Sequence, residues 1–176
     1  MAITKIQSES LNLADTYDFT GTVTGAGGVN TPAFQGYLSA HQSISDNSDT
    51  KINIDTESFD TDNCYDNSSN YRFTPTTAGK YLFYAYVFTS AGDDNNIAMD
   101  IKIYKNGSIA AELNYNAYAN SYAATLSSSG SIILEANGSS DYFELYAKSN
   151  DFSGTPTALG NSSYPKTYFG AYKIIE

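Results

Sequence analysis

The segment from Tyr81 to Phe88 limits the fold more than any other part of the chain. It reads Tyr-Leu-Phe-Tyr-Ala-Tyr-Val-Phe, so every position except Ala85 carries a large apolar or aromatic side chain. Successive side chains of a β-strand point to opposite faces, and this strand therefore presents an apolar surface on both sides. A strand that is covered on both faces is typical of a sheet centre, and the sequence predicts that position here.

The rest of the chain repeats this alternation of period two and gives few helical signals. Met99, Ile101 and Ile103 alternate with polar residues up to Lys105-Asn-Gly-Ser108, where Asn-Gly predicts a hairpin. A second turn is predicted at 137–138, and a last strand at 167–175. Short strands with turns between them predict an all-β fold, an antiparallel sandwich or barrel.

Composition and charge exclude several function classes. The chain has 19 acidic and 9 basic residues and a formal charge of −10, which repels a phosphate backbone, so we expect no nucleic-acid partner. Cys64 and His41 are the only residues of their types, which excludes an intrachain disulfide and a cysteine-rich or multi-histidine metal site. No apolar run approaches about 18 residues, so no membrane span is expected. The polar start lacks the apolar region of a signal peptide, and we expect synthesis in a cytoplasm.

The acidic segments do not match a known catalytic or calcium-binding pattern. A calcium loop that begins at Asp60 needs glycine at position six and glutamate at position twelve, where this chain has Tyr65 and Tyr71. We therefore interpret this segment as a solvated loop, and Asp93-Asp94 in the same way. No carboxylate pair stands out as a glycosidase pair, and no Gly-x-Ser-x-Gly accompanies His41. The chain is predicted not to be an enzyme and to use no metal or cofactor.

Residues 1–29 differ from the rest, and we predict two parts: an anchoring arm at 1–29 and a compact head at 30–176. A thin strand ribbon cannot bury its apolar side alone, so we expect the arm to bind the surface of another chain. A glycine-rich hinge at 25–28 separates the two parts. A disordered or tag-like tail is the alternative, and the apolar residues weigh against it. The predicted anchoring residues are Ile3, Ile6, Leu11, Leu13, Tyr17, Phe19 and Val23.

The order of motifs in the head resembles the globular domains of the complement-1q and tumour-necrosis-factor superfamily over about residues 31–176. The matching residues are Phe73, Gly79, Tyr81 and Phe83 at the centre, Lys105-Asn106-Gly107 at the hairpin, and Phe169, Gly170 and Tyr172 at the close. Two departures occur. Ala171 is inserted before the last tyrosine, and Gly138-Ser-Ser-Asp141 stands where the family has adjacent Gly-Asp.

The resemblance implies a jelly-roll sandwich of about ten strands that forms a tight homotrimer. In such a trimer the aromatic strand faces of three subunits meet around a three-fold axis. The predicted trimer-interface residues are Tyr84, Tyr86, Tyr146 and Tyr172.

The arm resembles the openings of tailed-bacteriophage virion proteins, in which thin Gly/Thr-rich strands lie on neighbouring subunits. No Gly-X-Y repeat precedes the head, unlike the collagen-like stalk of complement heads. The resemblance implies a structural protein at the virion surface, a capsid decoration (cement) protein. Its arm would clamp subunits of the major capsid protein, and its jelly-roll head would project outward.

Two alternatives remain open. The first is a receptor-binding tail- or head-fibre tip that recognises a host surface glycan through the candidate ligand residues Tyr115, Tyr118 and Tyr122. Tyrosine among Ser and Asn makes a good recognition surface, although packing of the same tyrosines at a trimer axis is the favoured interpretation. The second is a free-standing lectin-like or adhesive protein of a host. The short arm favours decoration, because fibre proteins usually carry long shafts.

Overall fold

The computed structural model of the chain describes residues 30–91, 96–117, 123–151 and 155–175. Within these ranges there are thirteen strands and no helix, which confirms the predicted all-β class. The strands are β1 (Ala33–Tyr37), β2 (Gln42–Ser43), β3 (Thr50–Lys51), β4 (Thr56–Asp60), β5 (Tyr65–Asp66), β6 (Arg72–Phe73), β7 (Ala78–Ser90), β8 (Asn96–Lys105), β9 (Ser108–Ala117), β10 (Thr125–Asn137), β11 (Phe143–Asp151), β12 (Thr157–Ala158) and β13 (Tyr168–Ile175).

The first sheet has β7 at its centre. β10 pairs with the whole length of β7 on one side, and β13 and β12 pair with it on the other. β13 then pairs with β1, β1 pairs with β4, and β12 pairs with β2. These pairings are antiparallel. The central position that was predicted for Tyr81–Phe88 is therefore confirmed.

The second sheet runs in the order β5-β6-β11-β8-β9, and β3 pairs with β11. β8 and β9 form the predicted hairpin, where Asn106 and Gly107 have φ of 54° and 79°. Positive φ at both central residues is what a tight hairpin turn requires, and it explains the Asn-Gly sequence. The turn at Asn137 and Gly138 joins β10 to β11, and it connects the two sheets instead of closing a hairpin.

Aromatic side chains fill the space between the two sheets. Phe83 on β7 lies 4.4 Å from Phe143 on β11, measured between ring centroids. Phe34 on β1 lies 4.6 Å from Phe73 on β6 and 5.1 Å from Phe169 on β13. All five rings are fully buried. Burial of such a side chain stabilises a fold by about 1.5–3 kcal/mol, so this cluster is a main reason that the sheets pack together.

Asp141 links the hairpin turn to the start of β11. Its Oδ1 accepts a hydrogen bond of 2.8 Å from Asn106 Nδ2, and its Oδ2 lies 2.8 Å from Lys105 Nζ. Its Oδ2 also accepts a hydrogen bond from the main-chain N–H of Asn137. Burial raises the pKa of this carboxyl, but the bonds from Lys105 and Asn106 outweigh burial and leave the pKa below its ordinary value. Asp141 thus joins the hairpin turn at Asn106 to the turn at Asn137.

Two details differ from the prediction. The strand count exceeds ten because β2, β3, β5, β6 and β12 are two-residue strands in segments that the alternation does not show. β8 was predicted to be half-buried, yet Asp100 and Lys102 on its polar face are only 6% and 7% exposed. They are covered because Asp49, from the segment before β3, binds Lys102.

Candidate interaction surfaces

Four tyrosines form a continuous aromatic surface on the outward side of the first sheet, and we call it the tyrosine face. Tyr84 and Tyr86 lie on β7, and Tyr168 and Tyr172 lie on β13. Tyr86 is directly opposite Tyr168, and their rings stack at 5.7 Å with an interplanar angle of 16°. Tyr84 lies 6.5 Å from the rings of both Tyr168 and Tyr172. Their neighbours Tyr81, Phe83 and Phe169 point into the core, as alternation requires.

Tyr84 crosses the sheet because position 170 has no side chain. Gly170 is opposite Tyr84 in the register of β13 with β7, and Gln35 is opposite Gly170 on β1. The Tyr84 hydroxyl donates a hydrogen bond of 3.0 Å to Gln35 Oε1. Burial raises the pKa of Tyr84, and the neighbouring Tyr168 and Tyr172 raise it further, so this hydroxyl stays protonated.

Apolar residues extend the tyrosine face at its margins. Ile133 on β10 is opposite Leu82 of β7 and is 50% exposed. Phe59 on β4, at the other edge of the sheet, is 46% exposed. Lys166 Nζ lies 4.9 Å from the centroid of the Phe88 ring, a cation–π contact. The outward side of this sheet therefore carries aromatic and aliphatic groups from one edge to the other.

Tyr146 does not lie on this face, and the four tyrosines predicted for the trimer interface do not share one surface. Tyr146 is on β11 in the second sheet, and its ring stacks on Tyr104 at 3.9 Å. Alternation within β11 places Tyr146 on the outward face of the second sheet. In a sandwich this face points away from the outward face of the first sheet, where Tyr84, Tyr86 and Tyr172 lie. Tyr84, Tyr86 and Tyr172 do lie together, joined by Tyr168.

Tyr168 was not among the predicted interface residues. The signal was present in the sequence, because Tyr168, Gly170 and Tyr172 alternate along one face of the predicted last strand. The glycine between the two tyrosines obscures the pattern, because it interrupts the run of aromatic residues on that face of the strand. In the structure, that glycine leaves the space that Tyr84 occupies.

A buried ionic cluster occupies the outward face of the second sheet. Lys102 Nζ lies 2.6 Å from Asp49 Oδ1 and 2.8 Å from Asp100 Oδ1. The Tyr104 hydroxyl donates to Asp49 Oδ2 at 2.7 Å. Burial raises the pKa of Tyr104, and the bond to Asp49 adds to the effect and brings it to about 12. Every member of the cluster thus has a partner, which is the arrangement of a structural ion pair.

Of the three candidate ligand residues, the structure describes Tyr115. It lies on β9 and is 57% exposed. Tyr118 and Tyr122 lie outside the described residues. The predicted anchoring arm, with its seven apolar residues, also lies outside them, as do Asp93 and Asp94.

The acidic loop after β5 is folded around one carboxylate. Asp66 Oδ1 accepts hydrogen bonds from the main-chain N–H groups of Ser68 and Ser69, and Oδ2 accepts from both nitrogens of Asn70. These bonds, from Ser69 and Ser68 first, hold the pKa of Asp66 far below its ordinary value. Asp66 thus uses its oxygens within the chain, and among the described residues no group of three or more His, Cys, Asp and Glu is placed to hold a metal ion.

The single histidine and the single cysteine have local contacts. His41 is exposed in the loop after β1, and its Nδ1 accepts a hydrogen bond of 3.2 Å from the main-chain N–H of Gly160. Cys64 is buried, and its Sγ lies 3.8 Å from the Thr76 hydroxyl. Burial raises the pKa of the Cys64 thiol, which keeps the thiol protonated. No helix in the described part of the chain is long and apolar enough to cross a membrane.

No protein-family model matches the sequence, and no curated protein matches it either. Solved structures do resemble it. The globular domain of zebrafish complement 1qA matches with a TM-score of 0.56 and 15% identity, over 82% of this chain and 98% of that domain.

Two further solved structures share this fold. Eiger TNF from S. frugiperda matches with a TM-score of 0.54 and 12% identity, over 84% of this chain and 95% of that one. Murine APRIL at pH 8.0 matches with a TM-score of 0.57 and 12% identity, over 81% of this chain and 98% of that one. The chain therefore has the jelly-roll fold of the complement-1q and tumour-necrosis-factor domains.

Proposed function

We propose that this chain is a non-enzymatic structural protein of a bacteriophage virion, a homotrimer that decorates the capsid surface. Its arm at 1–29 clamps neighbouring subunits of the major capsid protein, and its head projects outward. The observation that carries the proposal is the tyrosine face, a broad aromatic surface on the outward side of a sheet in a jelly-roll fold.

A surface of this kind is suited to association with copies of the same chain. Tyrosine is enriched at protein interfaces because it contributes large rigid area together with a hydroxyl that forms hydrogen bonds. Single exposed apolar residues are ordinary, whereas a contiguous patch marks an interaction site. A closed three-fold ring uses two different patches on each subunit, and the margins around Ile133 and Phe59 supply apolar groups beyond the four tyrosines.

The arm supports attachment to a capsid. Between residues 17 and 24, Tyr17, Phe19 and Val23 alternate with Asp and Thr, so this stretch would be apolar on one side if it were extended. Strand addition relies on main-chain hydrogen bonds, and an arm that pairs in this way can lie across several capsid subunits. A protein that binds only the assembled shell stabilises that shell by mass action.

The test is to add the purified protein to particles that lack it and to image them by cryo-electron microscopy. Density at local three-fold positions of the shell, with extensions across capsid subunits, is the expected result. Particles that carry the protein should also resist heating better than particles without it. Density at the tail alone, no density, or unchanged heat resistance would contradict a cement role.

A second candidate function is that of a receptor-binding fibre tip that recognises a host glycan. The observation that favours it is the exposure of Tyr115 on the sheet opposite the tyrosine face. A trimer built on the tyrosine face would leave that side accessible. Binding on a glycan array, together with poor adsorption of a deletion phage, would support this function, and wild-type adsorption would count against it.

A further inference from the structure

A small open depression lies on the outward face of the second sheet and has a volume of about 50 Å³. Tyr115 on β9, Asp100 on β8 and Lys148 on β11 lie opposite one another in register. In the next row of the sheet Ala98 lies opposite Asn150, and the short alanine side chain leaves room between the larger groups. Asn47 completes the wall from the loop that bridges to β11.

The carboxylate in this wall is held in place before any ligand arrives. Asp100 Oδ1 accepts a hydrogen bond of 2.8 Å from Lys102 Nζ, and the same nitrogen lies 2.6 Å from Asp49 Oδ1. Asp100 and Lys102 are both buried. A group that is already fixed loses little conformational entropy when it binds, so it contributes more to affinity than a mobile side chain.

The mixture of groups selects a class of ligand. The carboxylate accepts hydrogen bonds, Lys148 donates them, and the amides of Asn47 and Asn150 do both, which suits hydroxyl groups. The exposed ring of Tyr115 offers a flat apolar surface beside them. An ammonium ligand would meet the positive charge of Lys148. An anionic ligand would meet Asp100 and a chain of charge −10.

We propose that this depression is a subsite for the terminal residue of a neutral saccharide. Water occupies about 30 Å³, so the depression has room for one or two hydroxyl groups while the sugar ring stays outside on Tyr115. The inference rests on the second candidate function, glycan recognition, and assigns a place and a ligand class to it. One such site would bind weakly, and three copies on a trimer would raise the avidity for a clustered surface glycan.

The experiment is saturation-transfer NMR on the full chain with neutral monosaccharides: galactose, glucose, mannose and N-acetylglucosamine. Sialic acid tests an anionic ligand, and choline tests an ammonium ligand. We expect at least one neutral sugar to bind, and Tyr115→Ala and Asn150→Ala each to weaken that binding at least tenfold. Tyr164→Ala is the matched control, because Tyr164 is equally exposed and lies outside the depression.

The outcomes separate the subsite from the broader proposals. Binding that survives Tyr115→Ala would overturn the subsite and leave glycan recognition standing. Binding of sialic acid or choline alone would overturn the neutral class, and no binding of any probe would overturn the inference. The oligomeric state is tested separately, by a mass measurement on the same samples. Thermal unfolding of each variant shows that a loss of binding is not a loss of fold.

Discussion

The ring of Tyr84 lies against Gly170, so closely that a Cβ atom at position 170 would stand 2.4 Å from both the Cζ atom and the hydroxyl oxygen of that tyrosine. The tyrosine crosses above β13 from β7, and its hydroxyl bonds to Gln35 on β1. The tyrosine face therefore keeps its shape only because residue 170 is glycine, which has no side chain to displace Tyr84. Gly170 therefore has a packing role in this chain, because it leaves the space that the Tyr84 ring occupies.

The first prediction concerns this contact. Gly170→Ala should destabilise the folded chain by about 1–3 kcal/mol, since the added methyl group displaces the Tyr84 ring from a packed position. Urea denaturation measures the loss. The matched comparison is the same change in a Tyr84→Ala background, where the loss should be smaller because the two sites are coupled. An equal loss in both backgrounds would assign the clash to the Phe34 carbonyl oxygen, 2.9 Å from the same Cβ position.

The sequence was informative wherever local alternation decides the outcome. It located the central strand, the Asn106-Gly107 hairpin and three tyrosines of one face, because each follows from neighbouring residues alone. It did not show that Tyr146 lies in the other sheet from these three tyrosines, because alternation assigns a side chain to a face of its strand but not the strand to a sheet. The burial of Lys102 could not be predicted from the sequence either, because its partner Asp49 lies more than fifty residues away and contacts Lys102 only in the folded chain.

The second prediction concerns the ionic cluster. Lys102→Met should destabilise the fold by about 3 kcal/mol, because it leaves Asp49 and the buried Asp100 without their shared cation. Lys80→Met makes the same substitution at an exposed lysine, and its free energy of unfolding should stay within about 0.5 kcal/mol of that of the parent. Denaturant midpoints compare the two. Equal midpoints would mean that the cluster contributes nothing to stability.

The third prediction concerns pH. Main-chain N–H groups of Ser69 and Ser68 lower the pKa of Asp66 in the folded state, so its contribution to stability is present above the ordinary pKa of about 3.9 and is lost as pH falls below it. Asp66→Asn should therefore be less stable than the parent at pH 7, and the difference should shrink between pH 4 and pH 2.

Urea denaturation at pH 7, 4 and 2 checks this prediction, because these values span the range in which the Asp66 carboxylate of the unfolded chain takes up its proton. Asp62→Asn removes one charge from an exposed residue of the same segment and serves as the control for net charge. The control should leave the pH profile close to that of the parent. A constant difference between parent and Asp66→Asn at every pH would show that the carboxylate is not the group that orders the loop.

The fourth prediction concerns the arm. Deletion of residues 1–28 should leave a soluble, folded trimer that no longer binds virions, because the head has its own core and the arm is the proposed anchor. Circular dichroism and mass measurement report on the fold and the assembly, and co-sedimentation with particles reports on attachment. An unfolded product would place the arm within the core. A truncated trimer that still binds particles would move the anchor to the head.

The fifth prediction concerns the tyrosine face. Tyr86→Asp should give a folded monomer. Assembly of the trimer would bury three carboxylates that have no partner, and the loss of their hydration would outweigh the apolar contacts of the interface. Tyr164→Asp introduces the same charge at an exposed site and should leave the assembly unchanged. Circular dichroism confirms that each variant is folded. A Tyr86→Asp variant that assembles as the parent does would remove the tyrosine face from the interface.

The most direct test of the account is the mass of the intact chain in solution, measured by sedimentation equilibrium at micromolar concentration. The account predicts one species with three times the mass of a single chain, present over the whole concentration range. A monomer or a dimer under these conditions would contradict it, because the tyrosine face would then lack the partner on which the proposed function depends.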